Sequence, residues 1–216
     1  MATEHRLRSL SDGLLRSAGK RQSAAGVLEI HHPLAPFVDP ALLDRRCGAF
    51  GVALSLSLDV PMDGSQRVCC ASSQLPFQNR VFGLVVLHHV LENGDEPELA
   101  EAVRVLRRGG ELLILGLNRF GWRYRRQDAS DRLPGLAPLC ITRRLHAMGM
   151  VIQGSAGAGL AGQSAPPFMS RGASRLGLPF ADLLMLQARH RDTPEVTPLR
   201  FRKSRASVVQ SAPMRG

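Results

Sequence analysis

Continuous apolar runs separated by short polar segments dominate the middle of the chain. Residues 81–87 and 111–117 are runs of the kind that form strands covered on both faces. Between them, the apolar positions of residues 97–106 recur at helical spacing. Acids and a proline at residues 95–97 are typical of a helix start, and Gly109-Gly110 offers the left-handed residue that ends a helix. The pattern predicts a strand–helix–strand unit with a right-handed parallel crossover.

The flanking sequence predicts further elements of the same kind. Three strands are expected before this unit, at residues 26–30, 51–56 and 67–70. After it, a helix over residues 141–148 that ends at Gly149 leads to a strand, and residues 178–188 are a further strand. Residues 157–162 spell G-x-G-x-x-G, but Pro166-Pro167 follow instead of a helix. A flexible loop is therefore expected there, and no dinucleotide site.

Four motifs in the middle of the chain resemble those of a known family. They are Leu75-Pro76-Phe77, Phe82-Gly83-Leu84-Val85-Val86, His88-His89-Val90-Leu91-Glu92, and the run from Arg104 to Leu112. Together they resemble the second half of a class I S-adenosylmethionine (SAM)-dependent methyltransferase of the methyltransferase type 11 kind. The resemblance implies an α/β fold with a doubly wound, seven-stranded, mostly parallel Rossmann-like sheet. It also implies SAM as cofactor and methyl transfer to an acceptor that the sequence does not identify.

The same resemblance places the cofactor over the strand ends. The implied cofactor-binding positions are Glu29, His31, Ala53, Ala71, Ser72, Gln74 and His88. In the family an acid at the end of the first strand orders a glycine-rich loop, and Glu29 is that acid. Here the loop reads His31 to Pro36 and contains no glycine, which is similar to a bacterial subgroup with a degenerate first motif.

Acids that anchor the cofactor in the family are absent at three positions. Ala53 or Leu54 stands where an acid accepts the ribose hydroxyls, Ala71-Ser72 stand where an acid bonds the adenine, and Gly83 replaces an acid of the fourth strand. Each lost charge-assisted hydrogen bond is worth roughly 1.5–3 kcal/mol. Two or three such losses weaken SAM binding on the order of 10²–10⁵-fold. Two hypotheses follow: a methyltransferase with weakened cofactor motifs, or an inactive methyltransferase fold that serves as a binding or regulatory module.

Four histidines are expected to converge at one edge of the sheet. His31 and His32 follow the first strand, and His88 and His89 follow the fourth, its neighbour at the switch point of a doubly wound sheet. Adjacent histidines in an extended segment point apart, and no acid or cysteine joins them, so no metal site is predicted. His88 is the candidate general base of a substrate reaction.

The segment after the fifth strand is basic and aromatic. Asn118 and Trp122 are expected to face an acceptor, by similarity to the bacterial subgroup. Arg123, Arg125 and Arg126, with Tyr124, suit a phosphate-bearing or nucleic-acid acceptor. A solvated loop is the alternative.

Length, charge and cysteine content limit which domain organisation and cellular location the sequence allows. The 216 residues suffice for one ordinary domain, and the net charge of +10 comes almost entirely from arginine. The expected organisation is a basic N-terminal helix or tail at 1–23, a methyltransferase-like domain at 24–189 and a disordered basic tail at 190–216.

Neither an apolar run long enough to span a bilayer nor a secretory signal is evident, so a cytoplasmic protein is predicted. The four cysteines lack a metal spacing and are expected to be reduced, buried thiols.

Overall fold

The computed structural model describes residues 26–32, 51–55, 67–69, 74–127, 133–160, 168–170 and 180–191. Of these, residues 51–55, 67–69, 160 and 168–170 are described by their backbone alone. The expected tail at 1–23, the residues from 33 to 36 and nearly all of 190–216 lie outside the described residues.

One mixed sheet organises the described chain. Its strands are β1 (Val27–His31), β2 (Gly51–Ser55), β3 (Arg67–Cys69), β4 (Phe82–His88), β5 (Leu106–Asn118), β6 (Gly135–Leu136), β7 (Met150–Leu160), β8 (Phe168–Ser170) and β9 (Ala181–His190). The order is β3-β2-β1-β4-β5-β9-β7-β8, and β6 pairs with the end of β5. Strands β1 to β6 pair in parallel, whereas β9 is antiparallel to both of its neighbours. The predicted Rossmann-like sheet is confirmed, and β6 and β8 add two short strands to the seven expected.

Both faces of the central strands are buried, as their continuous apolar runs predict. The helices α1 (Pro97–Val105) and α3 (Pro138–Ala147) pack on one face, where Leu99 and Leu145 join Val85 and Ile114 in one core. A second core on the opposite face contains Val86 and Leu115. Each such side chain stabilises the fold by roughly 1.5–3 kcal/mol when it is fully buried. The sheet is therefore the rigid part of the molecule, and its strand ends are fixed positions.

The expected helix over residues 97–106 agrees with α1 to within one residue, since α1 ends at Val105 and Leu106 pairs with Phe82 in the sheet. The helix ends there because the N–H of Val81 donates to the carbonyl of Val105 (2.9 Å) and burial of Leu106 is complete. Two other expectations are wrong: Gly109-Gly110 do not end the helix, and Cys140 is not buried. The glycines form a bulge within β5 instead, where Gly109 has φ +69°. Cys140, expected to be buried, is a free thiol on the exposed side of α3.

The G-x-G-x-x-G sequence begins as a strand rather than as the expected flexible loop. Residues 157–160 belong to β7 and pair with β9, from Gly157 opposite Leu184 to Leu160 opposite Ala181. The large apolar side chains of β9 supply the burial that the glycines lack, so pairing overrides the weak strand preference of glycine. Residues 161 and 162 lie outside the described residues.

Arg104 ties the segment before β4 to α1. Its guanidinium donates to the carbonyl oxygens of Leu75 (3.1 Å) and Phe77 (2.9 Å) and to Oδ1 of Asn79 (2.7 Å). Glu101 accepts from Arg104 Nε (2.7 Å) and from the N–H of Leu75 (2.8 Å). The hydrogen bond from Arg104 is the main reason that the pKa of Glu101 lies below its usual value. The planar fork of one arginine thus fixes the path of the whole turn.

A carboxylate fixes the turn after β4 in the same way. Glu96 Oε1 accepts from the N–H groups of Glu92 and Asn93 (both 2.9 Å), and Oε2 accepts from the N–H of Gly94 (2.7 Å). These amides lower the pKa of Glu96, even though burial opposes the shift as the largest single effect. Gly94 needs to be small as well as left-handed (φ +87°), since a Cβ there would lie 3.1 Å from Ile141.

Replacement of Arg104 by lysine should lower the free energy of unfolding by about 1–3 kcal/mol. Lysine keeps the charge but cannot reach three acceptors with one rigid group. Urea unfolding measures the loss, with Arg108→Lys as the matched control, because Arg108 is exposed on the neighbouring bulge. Equal stability of the two variants would contradict the assigned role of Arg104.

The contribution of Glu96 to stability should depend on pH. Because its folded pKa is lowered, that contribution is complete above the unfolded pKa of about 4.3 and is lost as the pH falls through the folded value. Glu96→Gln should cost about 1–3 kcal/mol at pH 7, since its amide cannot accept all three N–H groups. The difference from the unmodified protein should shrink below pH 4 in denaturant titrations. Asp95→Asn, at an exposed neighbour, should show neither effect.

Candidate functional site

The candidate site lies where β1 and β4 end side by side. Their parallel register places His31 opposite His88. The backbone continues this pairing past the strands: the N–H of His32 donates to the carbonyl of His88 (3.0 Å), and that of His89 donates to the carbonyl of Leu115 (2.8 Å). The predicted convergence of the histidines is therefore fixed by main-chain hydrogen bonds. This edge is the switch point, where strand order reverses and ligands bind in doubly wound sheets.

A buried carboxylate and a buried imidazole face each other within this edge. Glu29 Oε1 lies 3.4 Å from His88 Nδ1, and their side chains are 1% and 0% exposed. Side chains alternate between the faces of a strand, so Glu29 and His88 project from the same face of adjacent strands. An ionised carboxylate is costly to bury unless partners compensate it, and the imidazole is one such partner.

His89 combines a strained backbone with an unsatisfied side chain. Its φ of +56° is unusual for a residue other than glycine. The side chain is fully buried, and neither ring nitrogen has a hydrogen-bond partner among the described residues. Burial lowers the pKa of His89 well below its usual value, and the neighbouring His88 and His32 lower it further, so the ring is neutral at pH 7. Strain and unmet hydrogen-bonding capacity concentrate at functional positions.

The expectation that His88 and His89 point apart is wrong. Their ring centroids are 4.9 Å apart, because the left-handed conformation of His89 turns the chain out of the strand. On β1, His31 Nδ1 lies 2.9 Å from the carbonyl of His32 and must donate to it, since a carbonyl only accepts. Burial also lowers the pKa of His32. Within the described residues, no three His, Cys, Asp or Glu side chains are arranged to hold a metal ion.

The structure brings together three of the seven positions expected to hold a cofactor, namely Glu29, His31 and His88. Ala53 pairs with Glu29 inside the sheet, two residues before β2 ends at Ser55. Gln74 is exposed at the start of the turn that Arg104 holds. The remaining two, at positions 71 and 72, lie outside the described residues.

The short strand β6 borders this edge and was missed by the sequence analysis. Since β9 occupies one side of β5, β6 pairs with Leu117 and Asn118 on the side of β4, beyond the last β4 pairing at Leu115. A Cβ at Gly135 would lie 2.5 Å from the ring of Tyr124, so only glycine allows this close packing. A strand of two residues has no periodicity that a sequence could reveal.

The segment after β5 differs from its expected arrangement. Asn118, expected to face an acceptor, is buried: its Nδ2 donates to the carbonyl of Ala181 (2.8 Å) and its Oδ1 accepts from the N–H of Phe120 (3.1 Å). The short helix α2 (Trp122–Arg125) follows. Arg123, expected at a ligand, is held against buried Asp182, with Nε 3.7 Å from Oδ2.

Comparison with known proteins agrees with this fold. Residues 51–114 match the model of a family described as a methyltransferase domain. No curated protein matches the chain. The fold is similar to that of a SAM-dependent methyltransferase from Thermotoga maritima (14% identity, covering 88% of this chain and 92% of that one, TM-score 0.58).

Two further solved structures are similar at the same level. One is geranyl diphosphate C-methyltransferase from Streptomyces coelicolor, in complex with Mg²⁺, geranyl diphosphate and S-adenosyl-L-homocysteine (13% identity, 87% and 79% of the two chains, TM-score 0.57). The other is an S-adenosylmethionine-dependent methyltransferase from Mesorhizobium loti (13% identity, covering 82% of this chain and 95% of that one, TM-score 0.54). The expected likeness to class I methyltransferases is confirmed in fold and by the family model. Membership of the bacterial subgroup stays a prediction.

The two adjacent histidines should respond oppositely to replacement by leucine. His89→Leu removes a buried polar group that has no partner, so the free energy of unfolding should stay equal or rise by about 1 kcal/mol. His88→Leu removes the imidazole opposite buried Glu29 and should cost about 3 kcal/mol or more. Thermal and urea unfolding measure both. Equal destabilisation by the two substitutions would show that the His89 ring is structural.

Proposed function

We propose that this chain, whose fold is that of class I SAM-dependent methyltransferases, binds SAM across the ends of β1 and β4 and methylates an acceptor. The observation that carries the proposal is the buried Glu29–His88 pair at the switch point of the sheet, with the unsatisfied His89 ring beside it. Parallel sheets of this kind bind ligands at that edge. An edge with a purely structural role has no need of a strained, unsatisfied imidazole.

The residues present fit a cationic, hydrogen-bonding cofactor. SAM carries a positive sulfonium and a positive ammonium group, and the Glu29 carboxylate, two residues before the end of β1, offers the opposite charge. His31 and His88 line the same edge from the two central strands. Ala53, Ala71, Ser72 and Gln74 complete the proposed contacts on the side of β2 and β3. Because Ala53 and Ala71 cannot accept hydrogen bonds through their side chains, we propose that SAM affinity is weaker than full anchoring by acids allows.

When bound, SAM supplies an electrophilic methyl group on its sulfonium centre. The chain then needs to hold an acceptor nucleophile in line, exclude water and receive any proton that the nucleophile loses. His88 is the sequence candidate for the last task, but it faces Glu29. Burial lowers the pKa of His89 well below its usual value, which makes its ring a weak proton acceptor, so neither histidine is assigned this task.

One specific observation favours a second function. Neither Ala53 nor Leu54, the two positions that the resemblance aligns with the family's ribose-binding acid, can accept a hydrogen bond through its side chain. Without that acid, the fold also suits a binding or regulatory module that does not turn over. The nature of the acceptor, a cytoplasmic location and nucleic-acid binding through the arginine-rich segments stay predictions. Within the described residues, no helix is long and apolar enough to cross a membrane.

Calorimetric titration with SAM and with S-adenosyl-L-homocysteine tests the proposal. The unmodified protein should bind both, and Glu29→Gln should weaken binding tenfold or more, about 1.4 kcal/mol, because it removes the charge opposite the ligand. Asp95→Asn, an exposed carboxylate on the turn after β4, is the control and should leave affinity unchanged.

The His89→Leu variant sharpens the same test. It should lose affinity or turnover although its fold is at least as stable, which is the signature of a residue kept for function. Absence of binding at millimolar SAM would contradict the methyltransferase hypothesis and favour a binding or regulatory module. Binding that neither Glu29→Gln nor His89→Leu affects would place the cofactor elsewhere.

A further inference from the structure

Exposed aromatic and basic side chains occur in two neighbouring segments, one where β5 ends and one where β9 begins. We call this set the aromatic–arginine patch and define it by Arg119, Phe120, Trp122, Arg125, Arg126 and Phe180. The exposed fractions of its apolar members are high: 62% for Phe120, 47% for Trp122 and 68% for Phe180. Large apolar side chains that gather on one surface mark an interaction site, whereas single ones do not.

The patch is held in place by a dense hydrogen-bonded base. The side chain of Asn118 connects the carbonyl of Ala181 to the N–H of Phe120, which keeps residues 120 and 180 near each other. A Cβ at Gly121 would lie 3.0 Å from the Ala181 carbonyl oxygen, so the two backbones are in close contact. Asp182 accepts from the N–H of Arg123 (3.2 Å) at the start of α2. The aromatic side chains are therefore exposed by a fixed scaffold rather than by fraying.

The charge of the patch is one-signed. Residues 119–127 contain four arginines and no acid. Arg123 faces buried Asp182, and the other three are exposed. The guanidinium of Arg126 lies 4.1 Å from the centroid of the Trp122 ring, a cation–π arrangement that keeps charge and aromatic surface together. The partner of this surface must therefore be anionic and partly apolar.

We propose that the aromatic–arginine patch docks the protein on an anionic membrane surface. Phenylalanine and tryptophan enter the boundary between headgroups and acyl chains, and arginines bind lipid phosphates. Single-stranded nucleic acid fits less well, because Arg126 covers one face of the Trp122 ring that a base would stack on. Phe120 and Phe180 also have no polar group, which suits an apolar boundary.

The position of the patch links docking to the candidate site. Strands β4 and β5 are parallel, so the chain that follows β5 and the histidines at the end of β4 share one edge of the sheet. Docking brings that edge towards the lipid. If the proposed methyltransferase function holds, on which this step rests, the acceptor is a lipid or a lipid-soluble molecule drawn from the membrane.

Trp122 provides a native probe, because it is the only tryptophan in the chain. The full-length protein is mixed with vesicles of phosphatidylcholine alone, or with 30% phosphatidylglycerol added. With the anionic vesicles, we expect a blue shift of the Trp122 emission, quenching by brominated acyl chains, and weaker binding as salt increases. Sedimentation alone is insufficient, since other basic segments also attract anionic lipid.

Paired variants isolate the patch. Arg125→Glu with Arg126→Glu, and separately Phe120→Ser with Phe180→Ser, should each weaken binding to anionic vesicles tenfold or more. Controls with the same chemistry are Arg108→Glu with Arg143→Glu, and Leu139→Ser, all at exposed positions outside the patch. They should bind like the unmodified protein. Thermal unfolding confirms that each variant is folded.

Three outcomes would overturn the proposal. They are an unchanged Trp122 spectrum with anionic vesicles, equal effects of patch and control variants, and quenching by a single-stranded oligouridine without any response to vesicles. The last would assign the patch to nucleic acid. Vesicle docking without SAM binding would refute the lipid acceptor and the proposed function, but would leave the docking surface intact.

Discussion

The parallel pairing of β1 with β4 is the constraint on which the rest of the site depends. Both strands are buried on both faces, so a slip by one residue would reverse every side chain and disrupt both cores. The apolar residues thereby fix the register, and the register places Glu29, His31 and His88 at one edge. The polar site is a consequence of apolar packing around it.

The same edge concentrates features that oppose stability. A buried carboxylate, a fully buried imidazole without hydrogen bonds and a left-handed histidine each cost free energy. The turns on either side of β4 are, by contrast, each held by several hydrogen bonds. Arg104 donates to three acceptors before β4, and Glu96 accepts from three backbone amides after it. Rigid turns on either side can hold β4 and its end in a conformation that the end alone would not adopt.

The sequence predicted the sheet well because burial on two faces leaves a local trace, the continuous apolar run. It failed where tertiary pairing decides, as at Gly109-Gly110, which lie within β5 rather than at a helix end because Leu106 already pairs with β4. It predicted that the histidines meet at one edge of the sheet but misjudged His89, because alternation along a strand does not reveal a single residue at positive φ. Asn118 was misassigned for a similar reason, since a sequence does not show that Ala181 and Phe120 use its amide.

Strand β5 connects the candidate site to the aromatic–arginine patch. Its residue Leu115 accepts the hydrogen bond that fixes His89, and three residues later Asn118 holds the base of the aromatic–arginine patch. A strand rises about 3.3 Å per residue, so these two anchors are roughly 10 Å apart along one rigid element. The proposed docking surface therefore lies near the edge that carries Glu29 and His89. If both proposals hold, the patch collects and orients the acceptor that the candidate site modifies.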